Sequence, residues 1–297
     1  MIELKNVSKQ FGNKQALLNL SFSLKEDEIL GLIGQNGAGK STTFRTILNF
    51  IQPSSGEILW NNNKLTEKNY REISFMPEER GLYQKESIES QMIYFGALHG
   101  MKRAEVRHEL KIWMDRLNVV GKMTDRVESL SKGNAQKVQL IVSMFAHPKL
   151  LILDEPFSGL DPVNVELLMN EVLRLRDEGT MIIFSDHNMA NVEHISDKII
   201  MLKNGKTVLD GRPDEIQKKY GRLELRIDGY KDIALLKQYK SVLECTIDNQ
   251  GVANLKLANE EVGKLIYDKV VSTGYVPVFD QHYPSLDEIF RHEVNLG

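Results

Sequence analysis

Residues 34–41 read Gly-Gln-Asn-Gly-Ala-Gly-Lys-Ser, directly after an apolar run at 29–33 and directly before a helix-compatible segment at 42–50. That order of strand, glycine-rich loop and helix restricts the chain more than any other feature. The spacing of Gly34, Gly39, Lys40 and Ser41 is that of a P-loop. Its glycines let backbone N–H groups turn inward, and the helix N-terminus adds partial positive charge, so the loop suits the phosphates of a nucleotide. Gly34, Gln35, Asn36, Gly37, Ala38, Gly39, Lys40, Ser41 and Thr42 are the expected phosphate-contacting set, with Lys40 reaching the outer phosphates and Ser41 offering a hydroxyl to Mg²⁺. Average residue frequencies give such a loop by chance about once in a hundred chains of this length. Its companions downstream therefore decide the reading.

At 297 residues the chain exceeds what one hydrophobic core organises, so one large domain and a smaller one are expected. A net charge of −3, with no basic tail or lysine/arginine block, leaves no electrostatic footprint for nucleic acid, and no such partner is expected. Cys245 is the only cysteine, which excludes an intrachain disulfide and a cysteine-based zinc site and fits a reducing cytosolic compartment. Residues 1–5 alternate charged and apolar side chains, reading as a strand rather than a signal peptide. The longest apolar region, 138–153, is interrupted by His147-Pro148-Lys149 and falls short of the roughly 20 apolar residues of a membrane-spanning helix. Work at a membrane would need a partner to supply the span.

Short leucine-rich or β-branched runs at 2–7, 21–24, 29–33, 57–60, 73–76, 150–153, 181–185 and 198–202 read as strands, with helical patterns between several of them. The mixture predicts an α/β fold with a mostly parallel central sheet and an antiparallel N-terminal portion. Residues 87–129 have helical periodicity, with Met92, Phe95 and Leu98 and then Leu110, Met114 and Leu117 at spacings of three or four. They predict an inserted helical subdomain, about 87–147, whose Met and aromatic stripe is core packing. The pattern changes near 220. From 223 onward it reads strand 223–227, helix 232–239, strand 243–248, strand 252–257, helix 259–272, strand 275–279 and helix 285–291. This β-α-β-β-α-β order predicts a small ferredoxin-like α+β domain at 221–297, following a nucleotide-binding domain at 1–220.

The apolar run 150–153 leads into Asp154-Glu155-Pro156. As a central strand it would put both acids at its C-terminal edge, where ligands gather in open α/β sheets. Asp154 would join a Mg²⁺ shell, and Glu155 would orient and polarise an attacking water. The next apolar run, 181–184, ends in Ser185-Asp186-His187, which makes His187 a second catalytic candidate, near a γ-phosphate. Before the acids comes Leu130-Ser131-Lys132-Gly133-Asn134-Ala135-Gln136-Lys137, which read alone is an ordinary helix start with Ser131 as N-cap.

Taken in order, the P-loop (Walker A), the 130–134 signature, the Walker B acids, the 158–161 loop and His187 resemble the nucleotide-binding subunit of ATP-binding cassette (ABC) transporters over residues 1–220. The resemblance implies an ATPase with ATP and Mg²⁺ as nucleotide and metal, working as a homodimer or heterodimer against integral-membrane subunits, cytoplasmic and peripheral on the inner face of the cell membrane. It implies that Phe11 stacks on adenine, that Ser131 and Gly133, with Asn134 beside them, meet the γ-phosphate across a dimer interface, and that Asp161 couples the two sites. Two positions depart from the family pattern. The signature carries Lys132 and Asn134 in place of the usual glycine and glutamine, and Met76-Pro77-Glu78 places a glutamate where the family has the glutamine that touches Mg²⁺. Glu78 is therefore a third metal candidate, a harder ligand than an amide but one that adds negative charge beside the phosphates. Residues 78–83 and the C-terminal Pro284-Ser285-Leu286-Asp287-Glu288-Ile289-Phe290 resemble the efflux branch, with its sodium-export and drug-export ATPase subunits. Export is the expected direction; an importer ATPase or a soluble ABC protein acting on ribosomes or DNA stand as alternatives.

Overall fold

The computed structural model describes residues 1–79 and 81–295; Arg80, inside the 78–83 segment read above, lies outside the described residues. The chain divides into two compact units between Asp210 and Gly211.

In chain order the first unit contains β1 (Ile2–Phe11), β2 (Lys14–Leu24), β3 (Ile29–Gly34), α1 (Lys40–Ile47), β4 (Ser55–Trp60), β5 (Asn63–Lys64), α2 (Glu67–Tyr70), β6 (Ile73–Met76), α3 (Ile88–Leu98) and α4 (Arg103–Arg116). It continues with α5 (Lys132–Met144), β7 (Leu150–Asp154), α6 (Pro162–Asp177), β8 (Met181–Ser185), α7 (Met189–Ile195), β9 (Lys198–Lys203) and β10 (Lys206–Gly211). One sheet has the order β2-β1-β4-β5, and β1 pairs antiparallel with both β2 and β4. The other has the order β10-β9-β3-β8-β7-β6, in which β9, β3, β8, β7 and β6 run parallel. Strands β3, β7 and β8 are buried along their whole length, which is why they read as unbroken apolar runs rather than alternating ones. Leu17, Leu20, Phe44, Ile152, Ile183 and Leu202 belong to one core cluster between the sheets, so the P-loop helix is clamped by both.

The N-terminal hairpin is longer than the sequence pattern indicated. β2 begins at Lys14 instead of 21, because a register shift at Val7 and the left-handed Asn19 (φ 51°) break the alternation of apolar residues along it. The inserted helices also use a different face than expected at one end. Met92, Leu110, Met114 and Leu117 are buried, whereas Leu98 is exposed, and α3 turns Ile88, Gln91, Met92 and Gly96 inward. Gly96 permits that contact: a Cβ there would stand 2.3 Å from Val106 Cγ2.

The second unit contains α8 (Pro213–Tyr220), β11 (Glu224–Asp228), α9 (Ile233–Leu236), β12 (Val242–Ile247), β13 (Ala253–Leu257), α10 (Glu261–Val271), β14 (Val278–His282) and α11 (Leu286–Asn295). Its sheet has the order β12-β13-β11-β14 with every neighbouring pair antiparallel, the split β-α-β arrangement expected from the element order. Leu225, Ile227, Leu236, Leu255, Leu257, Ile266 and Val270 form its core. Two boundaries differ from the sequence reading. The unit begins ten residues before 221, because α8 packs on α11, where Tyr220 donates to Glu293 Oε1 at 2.7 Å and stacks edge-on with His292. The last strand lies at 278–282 rather than 275–279, since its ladder to β11 pairs Asp228 with Val278 and leaves Tyr275 in solvent.

Candidate active site at the P-loop and the β7 edge

The loop between β3 and α1 takes its shape from glycines that no other residue replaces without a clash. At Gly34 (φ 149°) a Cβ would lie 2.4 Å from the Leu202 carbonyl oxygen, and at Gly39 (φ 120°) it would lie 2.8 Å from Leu17 Cδ2 and 2.9 Å from the Ala16 oxygen. The loop is thus wedged between β9 and the start of β2. It closes with Ala38 N–H donating to Gln35 O at 3.0 Å. Lys40 is buried and donates to Gly34 O at 2.6 Å. Burial pulls its ammonium below the ordinary lysine value, against the opposing pull of Glu155, Asp154 and Glu78.

A cavity of about 220 Å³ opens over this loop, bordered by Gln35, Asn36, Gly37, Gly39, Lys40, Ser41 and Thr42 on one side. Phe11, Glu78, Asp154, Glu155 and His187 complete the wall, together with Lys14 and Ala16, so residues up to 176 positions apart in sequence meet at one site. Phe11 keeps its ring half exposed at the rim, with Lys9 Nζ 5.0 Å from its centroid.

The acids stand at the end of β7 through its register with β8, which pairs Asp154 with Ser185. Ser185 is fully buried and holds both acids: its Oγ donates to Asp154 Oδ1 at 2.6 Å and accepts from the Glu155 N–H at 3.2 Å. Ser41 Oγ lies 3.5 Å from the other Asp154 oxygen. Ser41, Asp154 and Glu78 therefore offer oxygen donors only, and that donor set fits a hard divalent cation such as Mg²⁺ that keeps part of its water shell. Glu155 sits at φ 55°, in the left-handed region that costs a non-glycine residue about 1–3 kcal/mol. This turn aims its carboxylate into the cavity instead of along the strand. Its Oε2 accepts from the His187 N–H at 3.3 Å, while His187 Nε2 stands 3.2 Å from Oε1 outside hydrogen-bonding geometry, so buried Oε1 has no hydrogen-bond partner. Burial pushes the Glu155 carboxyl from 4.5 up to about 7; the charge of Asp186 adds to that, and Lys40 and the His187 amide oppose it. Asp186 is itself raised by burial, and its carboxylate is fixed by the Asn188 N–H at 2.8 Å and Asn191 Nδ2 at 2.7 Å.

Among the described residues, Ser131, Gly133, Asn134 and Asp161 do not border this cavity. They form a second surface. Ser131 caps α5 by accepting from the Asn134 N–H at 3.3 Å, and the Asn134 amide braces it, donating to Ser131 Oγ and accepting from the Val120 N–H at 3.1 Å each. Asp161 caps α6 through the Asn164 N–H at 3.0 Å, and the Asn164 bonds hold its carboxyl below the usual range. Lys132 reaches over the Gly159 turn, where a Cβ would meet its Nζ at 3.4 Å.

The sequence pattern did not single out the residues that tie these surfaces together. Gln136 donates to Pro156 O at 3.0 Å, just past Glu155, and Gln139 donates to Pro77 O at 2.9 Å and Glu79 O at 3.2 Å, on either side of Glu78. Two glutamines three residues apart inside an apolar helix were the available signal. Ser185 and Asp186 were visible beside His187, but their partners depend on strand register and not on local sequence.

Residues 17–158 match the family described as ABC transporter, and residues 211–294 match the ATP-binding protein DrrA1-3-like, C-terminal domain. An uncharacterized ABC transporter ATP-binding protein of Bacillus subtilis strain 168, YhaQ, is 38% identical over 99% of this chain and 98% of its own length. The linearmycin resistance ATP-binding protein LnrL of the same strain is 28% identical over 100% of this chain and 96% of its own. A solved structure of an ATP-binding subunit of an ABC transporter superposes with a TM-score of 0.69, at 29% identity, over 74% of this chain and 93% of that one.

Proposed function

Because the chain belongs to the ATP-binding subunits of ABC transporters and is an ABC transporter ATPase, we propose that it closes on ATP as a dimer and drives export through separate integral-membrane subunits. The observation that carries this reading is the split site. P-loop residues 35–37 and 39–42, Asp154 and Glu155 line one cavity, while Ser131 caps α5 and Gly133 lies in its first turn, outside that cavity. Two copies facing each other would set each Ser131-Gly133 segment against the other chain's nucleotide, giving two composite sites. Export is supported by the DrrA1-3-like second unit and by the likeness to LnrL, which is named for resistance to linearmycin.

In this site the P-loop amides and Lys40 hold the phosphates and neutralise them, so that a second protein surface can approach. Lys40 would leave the Gly34 carbonyl for the γ-phosphate. Ser41 and Asp154, with Glu78 beside them, would hold Mg²⁺, which when bound neutralises charge developing on the β- and γ-phosphate oxygens. Glu155 takes a proton from the attacking water as its oxygen bonds to the γ-phosphorus and the bond to the β–γ bridging oxygen breaks, leaving ADP and phosphate. In the nucleotide-free chain burial raises the Glu155 carboxyl to about 7, which keeps its carboxylate basic enough to accept that proton. His187 N–H, on Glu155 Oε2, fixes the direction in which the base points. Loss of phosphate removes the charge that joined the two surfaces, and they part. The Gln139 bonds beside Glu78 and the Gln136 bond beside Glu155 join the hydrolytic edge to α5 and would carry that movement to the membrane subunits.

Among the described residues no helix is long and apolar enough to cross a membrane; in this reading the transporter subunits hold the chain at the inner face of the cell membrane. The test is fractionation with and without those subunits, followed by ATP addition to vesicles of both orientations. The chain should leave the membrane fraction when the subunits are omitted, and inside-out vesicles alone should hydrolyse added ATP. Equal membrane retention without the subunits, or hydrolysis confined to right-side-out vesicles, would overturn the assignment.

A further inference from the structure

The second unit ends on one side in an uncovered strand. β12 is the outermost strand of its sheet, and its sequence Val-Leu-Glu-Cys-Thr-Ile contains neither the proline nor the lysine with which proteins usually blunt a sheet edge. A register shift between Val242 and Glu244 lies at its start and leaves 244–247 regular. Asp248 N–H donates to Val252 O at 3.0 Å, so by the alternation of an antiparallel ladder Thr246 and Glu244 turn their backbone groups toward β13. Leu243, Cys245 and Ile247 turn theirs outward. Among the described residues nothing pairs with those groups, and Leu243 and Ile247 are 63% and 52% exposed.

We infer that β12 pairs antiparallel with β12 of a second copy of this chain, with Cys245 on the two-fold axis. In that register Cys245 faces Cys245 of the other copy and Leu243 faces Ile247. The outward backbone groups of all three residues find partners, and exposed apolar side chains meet apolar side chains. On the opposite face of the ribbon Glu244 meets Thr246. Sliding the pairing one step either way sets Glu244 against Glu244, or Glu244 against Asp248, and like charges directly opposite destabilise a strand pair. The edge is thus self-complementary in one register, as a two-fold contact requires. It contains no part of the nucleotide cavity, so this pairing needs no nucleotide and stands independently of the ATP-driven closure proposed above.

The experiment uses the full nucleotide-free chain. Sedimentation velocity should find a dimer. A bismaleimide thiol cross-linker should link it through its sole cysteine into a species of about twice the 33.9 kDa chain mass. Cα atoms of a hydrogen-bonded antiparallel pair lie about 5.5 Å apart, within reach of that linker, whereas the side chains of such a pair stand wider than the Cβ separation of about 3.5–4.5 Å that a disulfide needs. Leu243→Lys and Ile247→Lys, each at an exposed position, should both return the chain to a monomer and abolish the link. A monomeric wild type, or a dimer and cross-link indifferent to both lysines, would overturn the inference.

Discussion

Glu155 pays for its position in stability, and replacing it with glutamine should reveal the amount. In the unfolded chain its proton leaves near 4.5, and in the folded protein near about 7. Between those values the folded state binds more protons than the unfolded one, so stability falls as pH rises through the window. Above about 7 the loss is complete, and below 4.5 it is absent. A difference of about 2.5 units at 1.36 kcal/mol per unit sets a ceiling of about 3.4 kcal/mol. Because the carboxylate opens on a cavity that admits water, screening reduces this to about 2 kcal/mol. A glutamine amide does not titrate and keeps the side-chain shape, so Glu155→Gln should escape the penalty. For a unit of the first domain's size, about 2 kcal/mol corresponds to about 4–8 °C in Tm. Calorimetry of nucleotide-free wild type and variant should therefore find the variant's first-unit transition higher by that amount at pH 8, with most of the gap gone at pH 5. An equal gap at both pH values, or a variant less stable than wild type at pH 8, would refute the claim that burial and Asp186 hold this carboxyl up.

Other consequences follow from the same contacts. Glu155→Gln should slow ATP turnover by roughly 10²–10⁴ while nucleotide still binds, the loss expected from removing a general base, as checked by phosphate release and a nucleotide titration. Gly39→Ala drives a Cβ into Leu17 and the Ala16 carbonyl at a φ of 120°. Overpacking and backbone strain together should cost about 2–5 kcal/mol in urea unfolding and abolish nucleotide binding. Ser185→Ala removes the buried donor to Asp154 at 2.6 Å and should destabilise the first unit by about 1.5–3 kcal/mol in urea unfolding.

Much of this site was legible because its parts are local. The P-loop, the β7 run ending in Asp154-Glu155 and the Ser131 cap each span fewer than ten residues, and each carries its own glycine, apolar or capping signal. The parts that escaped are those fixed by register and packing. Ser185 became a partner of both acids only through the pairing of β7 with β8, and the φ of 55° at Glu155 has no signature in a sequence. Gln139 looked like one more residue of a helix until it met the Pro77 and Glu79 carbonyls. Leu98 kept the spacing of a core residue yet faces solvent, because Gly96 sets where α3 meets α4. The last strand moved by three residues for a related reason, its position being set by the ladder to β11 and not by its own apolar residues.

The central claim is that each ATP is held between the P-loop of one chain and the Ser131-Gly133 segment of another. Its most direct test is sedimentation of the Glu155→Gln chain with and without ATP and Mg²⁺, carried on a Leu243→Lys background so that β12 contributes no pairing, and repeated with Ser131→Arg. The account predicts a monomer without nucleotide, a dimer with ATP and Mg²⁺, and loss of that dimer when Ser131→Arg is added while ATP still binds. A chain that binds ATP and stays monomeric, or one whose ATP-dependent dimer is unaffected by Ser131→Arg, would contradict the shared site.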